Sequence, residues 1–498
     1  MPVRARNTLL GLCALALVLR LVGTVNRGLW YDEIWTLTEF GRLPLGTLLT
    51  TFGSDNNHPL YSVLAWFPLH VLGESAFALR VPAVLFGVAS IGATYLYARK
   101  ITSEREAVIT SLLLATSYHH VWFSQNARGY TLLLFFTITS TYFFEQLLEG
   151  DVARAKKAIV PYALTLALGT YSHLTCIFVA MAHFAVYAHV AFWNRERRTW
   201  LWPLYGLVAA GVISLALHAP LMHDMLAFFT KPGGGHGKVK SQWTSPLWTI
   251  AEIARSLGFG LVPGLLALGS ALLVLGAGSW SYAKQSDSMT YPPSSLRLSA
   301  FARWLLFVLP GVFGGGVMVL LHRHLWPRFF FFQAAFILLI VVRGLAQLAQ
   351  WLASAARAKD PARMEQLLNN LALGVLALAW LAMLPRVFLV PKQDFEGAQA
   401  YVQSVRKPGE AVVTVGLAVM PYAKYYASDF VPAKSVEELD AALGGKSGYV
   451  LSTLPTFVES RTPELAAAIK QRGEEVKKFP GSVGDGAIHV YRLAALQP

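Results

Sequence analysis

Residues 78–98 read ALRVPAVLFGVASIGATYLYA, and Arg99, Lys100 and Arg105 follow directly. A helix over this run is about 30 Å long, the thickness of a bilayer's hydrocarbon core, and its basic tail marks a cytoplasmic end. Outward from it the same grammar repeats. Apolar runs near 8–25, 106–123, 129–148, 158–174, 175–193 and 201–220 are separated by loops of which every second one is basic, with Arg154, Lys156 and Lys157 in one and Arg195, Arg197 and Arg198 in the next. Further runs near 261–280, 302–321, 326–346 and 367–387 bring the expectation to about eleven membrane-spanning helices. This threading puts the N-terminus in the cytoplasm and the polar segment 26–58 outside. Pro59 to Leu72 is too short to span and is expected in the interface, and Trp248 to Gly258, with Glu252 and Arg255, at the outer surface.

Composition agrees. Of 498 residues, 55% are hydrophobic and 14% charged, which excludes an ordinary soluble globule. The net charge of +14 does not point to nucleic acid, because the Lys and Arg are scattered through short loops instead of gathered on one face. Cys13 and Cys176 lie in apolar runs and are expected as inert thiols, not as a disulfide. Arg4 and Arg6 before Leu9 to Val22 imitate a secretion signal, but no small-residue cleavage site follows and Arg20 interrupts the run. It is read as an uncleaved first helix. After Pro391 the composition becomes that of a soluble domain, with strands expected at Ala411 to Val415, Tyr449 to Ser452 and Ala487 to Tyr491 and helices at Gly397 to Val405 and Pro463 to Gln471. The expected fold is therefore mainly α, a polytopic membrane domain over 1–390 carrying a small soluble α/β domain over 391–498 on the outer side. The run Gly233-Gly234-Gly235-His236-Gly237 falls in an external loop and reads as a flexible connection, not as a phosphate cradle.

Chemistry gathers on the outer face. Trp30-Tyr31-Asp32-Glu33-Ile34-Trp35 sets two carboxylates among aromatics just beyond the first helix, where a carboxylate can serve as a general base; solvated loop acids are the plain alternative. Asn56-Asn57-His58-Pro59 opens the interfacial helix, and there the histidine reads as a hydrogen-bonding group, a metal ligand or a polar residue before a proline-started helix. Arg128, within Ser124-Gln125-Asn126-Ala127-Arg128-Gly129-Tyr130, and Arg323 and Arg328, within His322-Arg323-His324-Leu325-Trp326-Pro327-Arg328, stand at outer helix ends that the positive-inside bias depletes. Arginine offers a planar fork that grips phosphate. His119, His120, His173, His218 and His223 add polarity at the same level. An acid/base group and phosphate-gripping cations around one outer cavity imply a reaction on a lipid-linked phosphate.

These residues resemble a known family. Trp30-Tyr31-Asp32-Glu33, Asn57-His58-Pro59-Leu60-Tyr61, Gly73-Glu74-Ser75-Ala76-Phe77-Ala78-Leu79-Arg80-Val81-Pro82 and Ser124-Gln125-Asn126-Ala127-Arg128-Gly129-Tyr130 occur in the order and spacing of bacterial family 39 glycosyltransferases, within the GT-C superfamily. These are relatives of the protein O-mannosyltransferases and the lipid A aminoarabinose transferases. The resemblance is strong over 8–150, and Lys392-Gln393-Asp394-Phe395, Lys407-Pro408-Gly409-Glu410 and Phe479-Pro480-Gly481 look like the family's tail. It implies transfer of a sugar from a polyprenyl-phosphate donor to an acceptor hydroxyl on a lipid, a glycan or a protein. Asp32 would be the base and Glu33 its neighbour in the acceptor site. Arg128, Arg328 and Arg323, with His58, would contact the donor phosphate, and Tyr31, Asn57, Tyr130, His119 and His120 would line the donor or acceptor pocket. Aminoarabinose transferases have Glu-Lys-Pro where this chain has Asn57-His58-Pro59, so no metal ligand is assigned and a divalent metal stays an open alternative. Asn126 and Phe329 replace the Glu and Tyr of many relatives, which leaves the sugar open. The implied location is the cytoplasmic membrane, multi-pass, with the site facing the periplasm or exterior. The rival reading is a transporter or flippase of a lipid-linked sugar; it predicts internal repeats and broken mid-membrane helices, and no convincing repeat is found.

Overall fold

The computed structural model describes residues 1–24, 27–148, 152–193, 201–230, 245–258, 264–284, 298–323, 325–357, 359–426, 429–484 and 486–495. The glycine run at 233–237 and the basic loop at 195–198 lie outside the described residues. Every expected span finds a helix. Seven stretches are long and apolar enough to cross a membrane by length and composition alone: Ala76–Ile101, Tyr130–Leu148, Leu174–Phe192, Leu201–Thr230, Ala300–Leu320, Pro327–Ala355 and Pro361–Leu389. Val3–Leu21 and Val152–Ser172 are long helices that miss that standard; the first carries Arg4, Arg6 and Arg20 and the second Arg154, Lys156 and Lys157, whereas Gly264–Lys284 is a 21-residue helix whose one charge is Lys284. The span expected at 106–123 is two helices, Glu104–Thr116 and Tyr118–Ser124. They part at Ser117, whose extended backbone ends one helix while its hydroxyl accepts from the His120 N–H to start the next. The count of about eleven thus rests partly on helices whose apolarity is diluted by charge.

The outer segment is not a loose loop. Tyr31–Thr36 forms a short helix that continues as a π turn over Leu37–Gly41, and Pro59–Leu72 is a 14-residue apolar helix opened by its own proline. Leu29, Ile34 and Leu37 share one buried cluster with Tyr61 and Leu79 below them and with Phe395, Ala398, Tyr422 and Phe430 of the C-terminal region. The first outer segment and the C-terminal domain therefore sit at the same end of the helix bundle. The joint is also hydrogen-bonded: Gln393 accepts from the Tyr31 N–H at 3.1 Å, and the Tyr426 hydroxyl donates to the Leu29 carbonyl at 2.7 Å.

The C-terminal domain starts with helix Phe395–Val405 and contains five strands, β1 Ala411–Val415, β2 Val431–Ala433, β3 Gly448–Thr453, β4 Gly473–Phe479 and β5 Ile488–Leu493, in the order β2-β1-β3-β5-β4. β1 is parallel to both β2 and β3, whereas β5 is antiparallel to β3 and β4. The three expected strands and two expected helices are present. β2, β4 and the helices Val436–Leu443 and Pro455–Arg461 are additions.

Candidate active site

The two adjacent carboxylates have opposite environments. Glu33 is fully buried and takes a fork from Arg80, Nε to Oε1 at 2.7 Å and Nη2 to Oε2 at 2.6 Å. Its Oε1 also accepts from the Ala127 N–H at 2.8 Å, and its Oε2 reaches back to the Trp30 N–H, closing a capping box. Burial pushes the Glu33 carboxyl up, but Arg80, Lys392 and these hydrogen bonds outweigh it and hold the group below the ordinary carboxylate range. The remaining Arg80 nitrogens donate to the carbonyls of Thr24, Arg27 and Gly28. Glu33 and Arg80 thus tie together the end of the first helix, the segment 127–128 and the helix Ala76–Ile101. Such a geometry gives Glu33 no free oxygen for an acceptor.

Asp32 turns the other way. Among the described residues its carboxylate accepts no hydrogen bond; the nearest cation is Arg128, Nε to Oδ2 at 3.9 Å. Arg128 is buried and anchored at its far end, both Nη atoms donating to Asn56, one to the carbonyl and one to the side-chain oxygen. Its Nε has no hydrogen-bond partner, and the same holds for Arg328 Nε and Asn126 Nδ2 among the described residues. Arg328 lies over the rings of Trp326 and Phe329, its charge centre 5.2 and 5.7 Å from their centroids. Asp32, Asn126 and Arg328 line one cavity of about 340 Å³, together with Tyr130, His119 and an apolar wall that includes Phe331, Leu338 and Trp380. Ser482, Val483 and Gly484 of the C-terminal domain close its rim, and the Ser482 hydroxyl accepts from Trp122 Nε1 at 3.0 Å.

Four other expected site residues fall in four separate places, none of them in the lining of that cavity. His58 is buried behind Tyr130, ring centroids 5.4 Å apart, and its Nδ1 lies 3.1 Å from the Ser172 carbonyl. A carbonyl only accepts, so Nδ1 carries the proton and Nε2, which has no partner among the described residues, presents a lone pair. Burial, with Arg128 and His173 beside it, holds the ring neutral, its pKa well below the usual histidine range. A neutral ring offering a lone pair does not attract phosphate. Gly129 makes this packing feasible: a Cβ there would stand 2.8 Å from the Ser172 oxygen and 2.9 Å from His58 Nδ1. Asn57 closes its own loop, donating to the Thr51 and Phe52 carbonyls and accepting from Ser62, so it faces no pocket. His120 is fully buried between Arg20 (2.6 Å) and Ser90 (2.9 Å), on the side of its short helix away from the cavity that His119 lines. Arg323 follows the helix Ala300–Leu320 and does not line the cavity.

Two residues to which the sequence assigned no role in the site lie beside it. His173, its ring 4.8 Å from His58, accepts at Nδ1 from Thr175, which fixes its proton on Nε2. Lys392 donates to the Gln125 carbonyl at 2.5 Å and lies 5.1 Å over the Trp122 ring. Its burial pulls the ammonium pKa down to about 7, against the opposing pull of Glu33. Among the described residues, no group of three or more His, Cys, Asp or Glu side chains is placed to hold a metal ion. Asn57, standing where aminoarabinose transferases have a glutamate, offers only an amide that is already used.

The chain matches the structure of ArnT from Cupriavidus metallidurans bound to undecaprenyl phosphate with a TM-score of 0.56, over 98% of this chain and 99% of that one, at 14% identity. The two chains share one fold over nearly their whole lengths. A likeness of fold also links it to the archaeal oligosaccharyltransferase AglB from Archaeoglobus fulgidus, solved with an inhibitory peptide and a dolichol-phosphate, at a TM-score of 0.51 and 13% identity over 94% of this chain and 71% of that one. In sequence, residues 56–223 match the family described as dolichyl-phosphate-mannose-protein mannosyltransferase. That part holds His58, Arg80, Arg128 and His173; Asp32 and Arg328 lie outside it. No curated protein matches the chain at a significant level.

Proposed function

We propose that the chain is a glycosyltransferase that moves a sugar from a polyprenyl-phosphate donor to an acceptor hydroxyl, with Asp32 as the base. The observation that carries this is the set of donors without hydrogen bonds among the described residues, Arg128 Nε, 3.9 Å from Asp32, with Arg328 Nε and Asn126 Nδ2, while Asp32, Asn126 and Arg328 line one cavity with an apolar wall. Buried donors without partners cost free energy unless a ligand satisfies them, and a phosphate supplies the acceptors. The apolar wall suits the first units of a polyprenyl chain. In the reaction the acceptor oxygen bonds to the sugar's anomeric carbon as the bond to the phosphate oxygen breaks. The acceptor proton passes to Asp32, and the negative charge stays on the departing phosphate, where the arginines stabilise it. A phosphate leaving group needs little protonation, so one carboxylate suffices.

The solved neighbours support the donor class, since one binds undecaprenyl phosphate and another a dolichol-phosphate. We place the site on the outer face of the cytoplasmic membrane, on the strength of the basic loops at the opposite helix ends. The test is incubation of the purified protein with radiolabelled polyprenyl-phosphate sugars. Release or transfer of the sugar is expected; binding without any bond breaking would favour a transporter.

A further inference from the structure

The donor cavity occupies one end of the bundle, and a larger cavity lies at the other. The helix Ala76–Ile101 runs between them: Arg80 is held by Glu33 near its start, and Arg99 stands 19 residues on, about 28 Å away along the axis. There a cavity of about 700 Å³ opens between the ends of Ala76–Ile101 and Tyr130–Leu148, with Arg99, Lys100 and Glu104 in its lining. Deeper along the helices the lining is apolar. Leu96 and Ala93 stand one and two turns below Lys100 on the same helix face, and Ile138 one turn below Tyr142 on the other helix. Leu96 is exposed, so the gap opens sideways to the bilayer. Resting on the orientation proposed above, in which basic loops mark the cytoplasmic side, we infer that this groove binds an anionic glycerophospholipid of the inner leaflet, its phosphate at Arg99, Lys100 and Tyr142 and an acyl chain along Leu96 and Ile138.

The hydrogen-bonding inventory argues for a phosphate. Arg99 gives its Nε to Glu104 at 2.5 Å, and its two Nη groups make no hydrogen bond among the described residues. The Tyr142 hydroxyl likewise has no hydrogen-bond partner among them. Lys100 Nζ lies 5.1 Å over the Tyr142 ring and 3.7 Å from Glu145, a carboxylate that Arg303 also engages at 3.1 Å. Glu104, the one carboxylate in the described lining, is occupied on both oxygens, by Arg99 and by the Tyr95 hydroxyl. The acid is used and donors are left over, which is the complement of a phosphate.

The rest of the ligand follows from the setting. Both helices are long and apolar enough to cross a membrane, so the floor of the groove lies at a depth that an acyl chain reaches and a soluble anion or peptide does not. A zwitterionic headgroup would bring its own ammonium against Arg99 and Lys100. An anionic one brings none.

The test is native mass spectrometry of the full-length, detergent-solubilised protein titrated with phosphatidylglycerol or with phosphatidylcholine of the same chains. The first phosphatidylglycerol should bind the parent about tenfold tighter than phosphatidylcholine, and Arg99→Gln/Lys100→Gln should abolish that preference. Ala93→Trp, which fills the floor and keeps both charges, should weaken the first site for both lipids. Neutralising another exposed basic pair, Arg357→Gln/Lys359→Gln, should change nothing. Equal affinity of the two lipids for the parent, a preference that survives Arg99→Gln/Lys100→Gln or falls equally with Arg357→Gln/Lys359→Gln, or a first site indifferent to Ala93→Trp would each overturn the inference. For the leaflet, a thiol at the exposed position Ser103→Cys should react in sealed right-side-out vesicles only with a membrane-permeant maleimide; reaction with an impermeant one would overturn the orientation instead. No sugar transfer enters either readout, so failure of the transferase reading is seen separately.

Discussion

Glu33–Arg80 and Asp32–Arg128–Arg328 are neighbouring sets of carboxylates and arginines at the same end of the bundle, and they differ in one respect. In the first every charge is satisfied: the carboxylate has a bidentate partner and backbone donors, and the guanidinium spends its spare nitrogens on three carbonyls. In the second the carboxylate has no hydrogen bond among the described residues, its nearest cation is 3.9 Å away, and both arginines keep an unpartnered Nε. Completed networks hold backbone in place; incomplete ones wait for a ligand. Side-chain identity alone does not distinguish them.

The largest effect expected is on stability, and only in the completed set. Glu33→Ala leaves Arg80 buried without its counter-charge, which should cost about 3–5 kcal/mol. Thermal unfolding of the detergent-solubilised protein should show it as a large drop in Tm, while Asp32→Ala should leave Tm nearly unchanged. Equal drops would erase the contrast between the two sets.

Catalysis should divide the opposite way. Asp32→Asn keeps size and removes the basic lone pair, so transfer should fall by about a hundredfold or more while donor binding survives. Transfer at near the parent rate would rule out Asp32 as the base. Arg328→Lys and Arg128→Lys keep a charge but lose the planar fork, and each should weaken undecaprenyl-phosphate binding about ten- to a hundredfold, read by titration. Unchanged affinity in both would make them interfacial anchors.

The smallest effect sharpens the comparison at its seam, where Lys392 faces Glu33. Its folded pKa of about 7 lies below the ordinary 10.5, so between these values the unfolded chain binds the extra proton. Stability should therefore rise as pH is raised from 7 towards 10, and level off below pH 7, where the ammonium forms in the folded protein as well. The parent should gain more Tm over that window than Lys392→Met; parallel curves would remove Lys392 from the account.

The spans were legible because about 20 apolar residues bounded by cations have few other uses in a chain. Asp32, Arg128 and Arg328 were legible by position and resemblance, and Arg80 carried a signal of its own, an arginine inside an apolar run. What the sequence hid was direction. Nothing in Asp32-Glu33 tells which carboxylate turns to Arg80, and nothing in His119-His120 tells which ring faces the cavity and which meets Arg20. Arg128 is held partly by a backbone carbonyl at Asn56, a contact that leaves no trace in residue type. β4 was missed because Glu474, Glu475, Lys477 and Lys478 hide its alternation; it is an edge strand, where such charges discourage pairing with another chain.

Ser482, Val483 and Gly484 form part of the donor cavity's rim, opposite residues from the first helical hairpins. In order of synthesis these two halves are far apart. At about 5–20 residues per second, roughly 20–90 s separate the emergence of Asp32 from that of Gly484. Until then the arginines, the carboxylate and the apolar wall stand in the bilayer as an open half-cup. Assembly order thus acts as a timer, and a ribosome-bound chain holds every expected catalytic side chain before it holds a finished site.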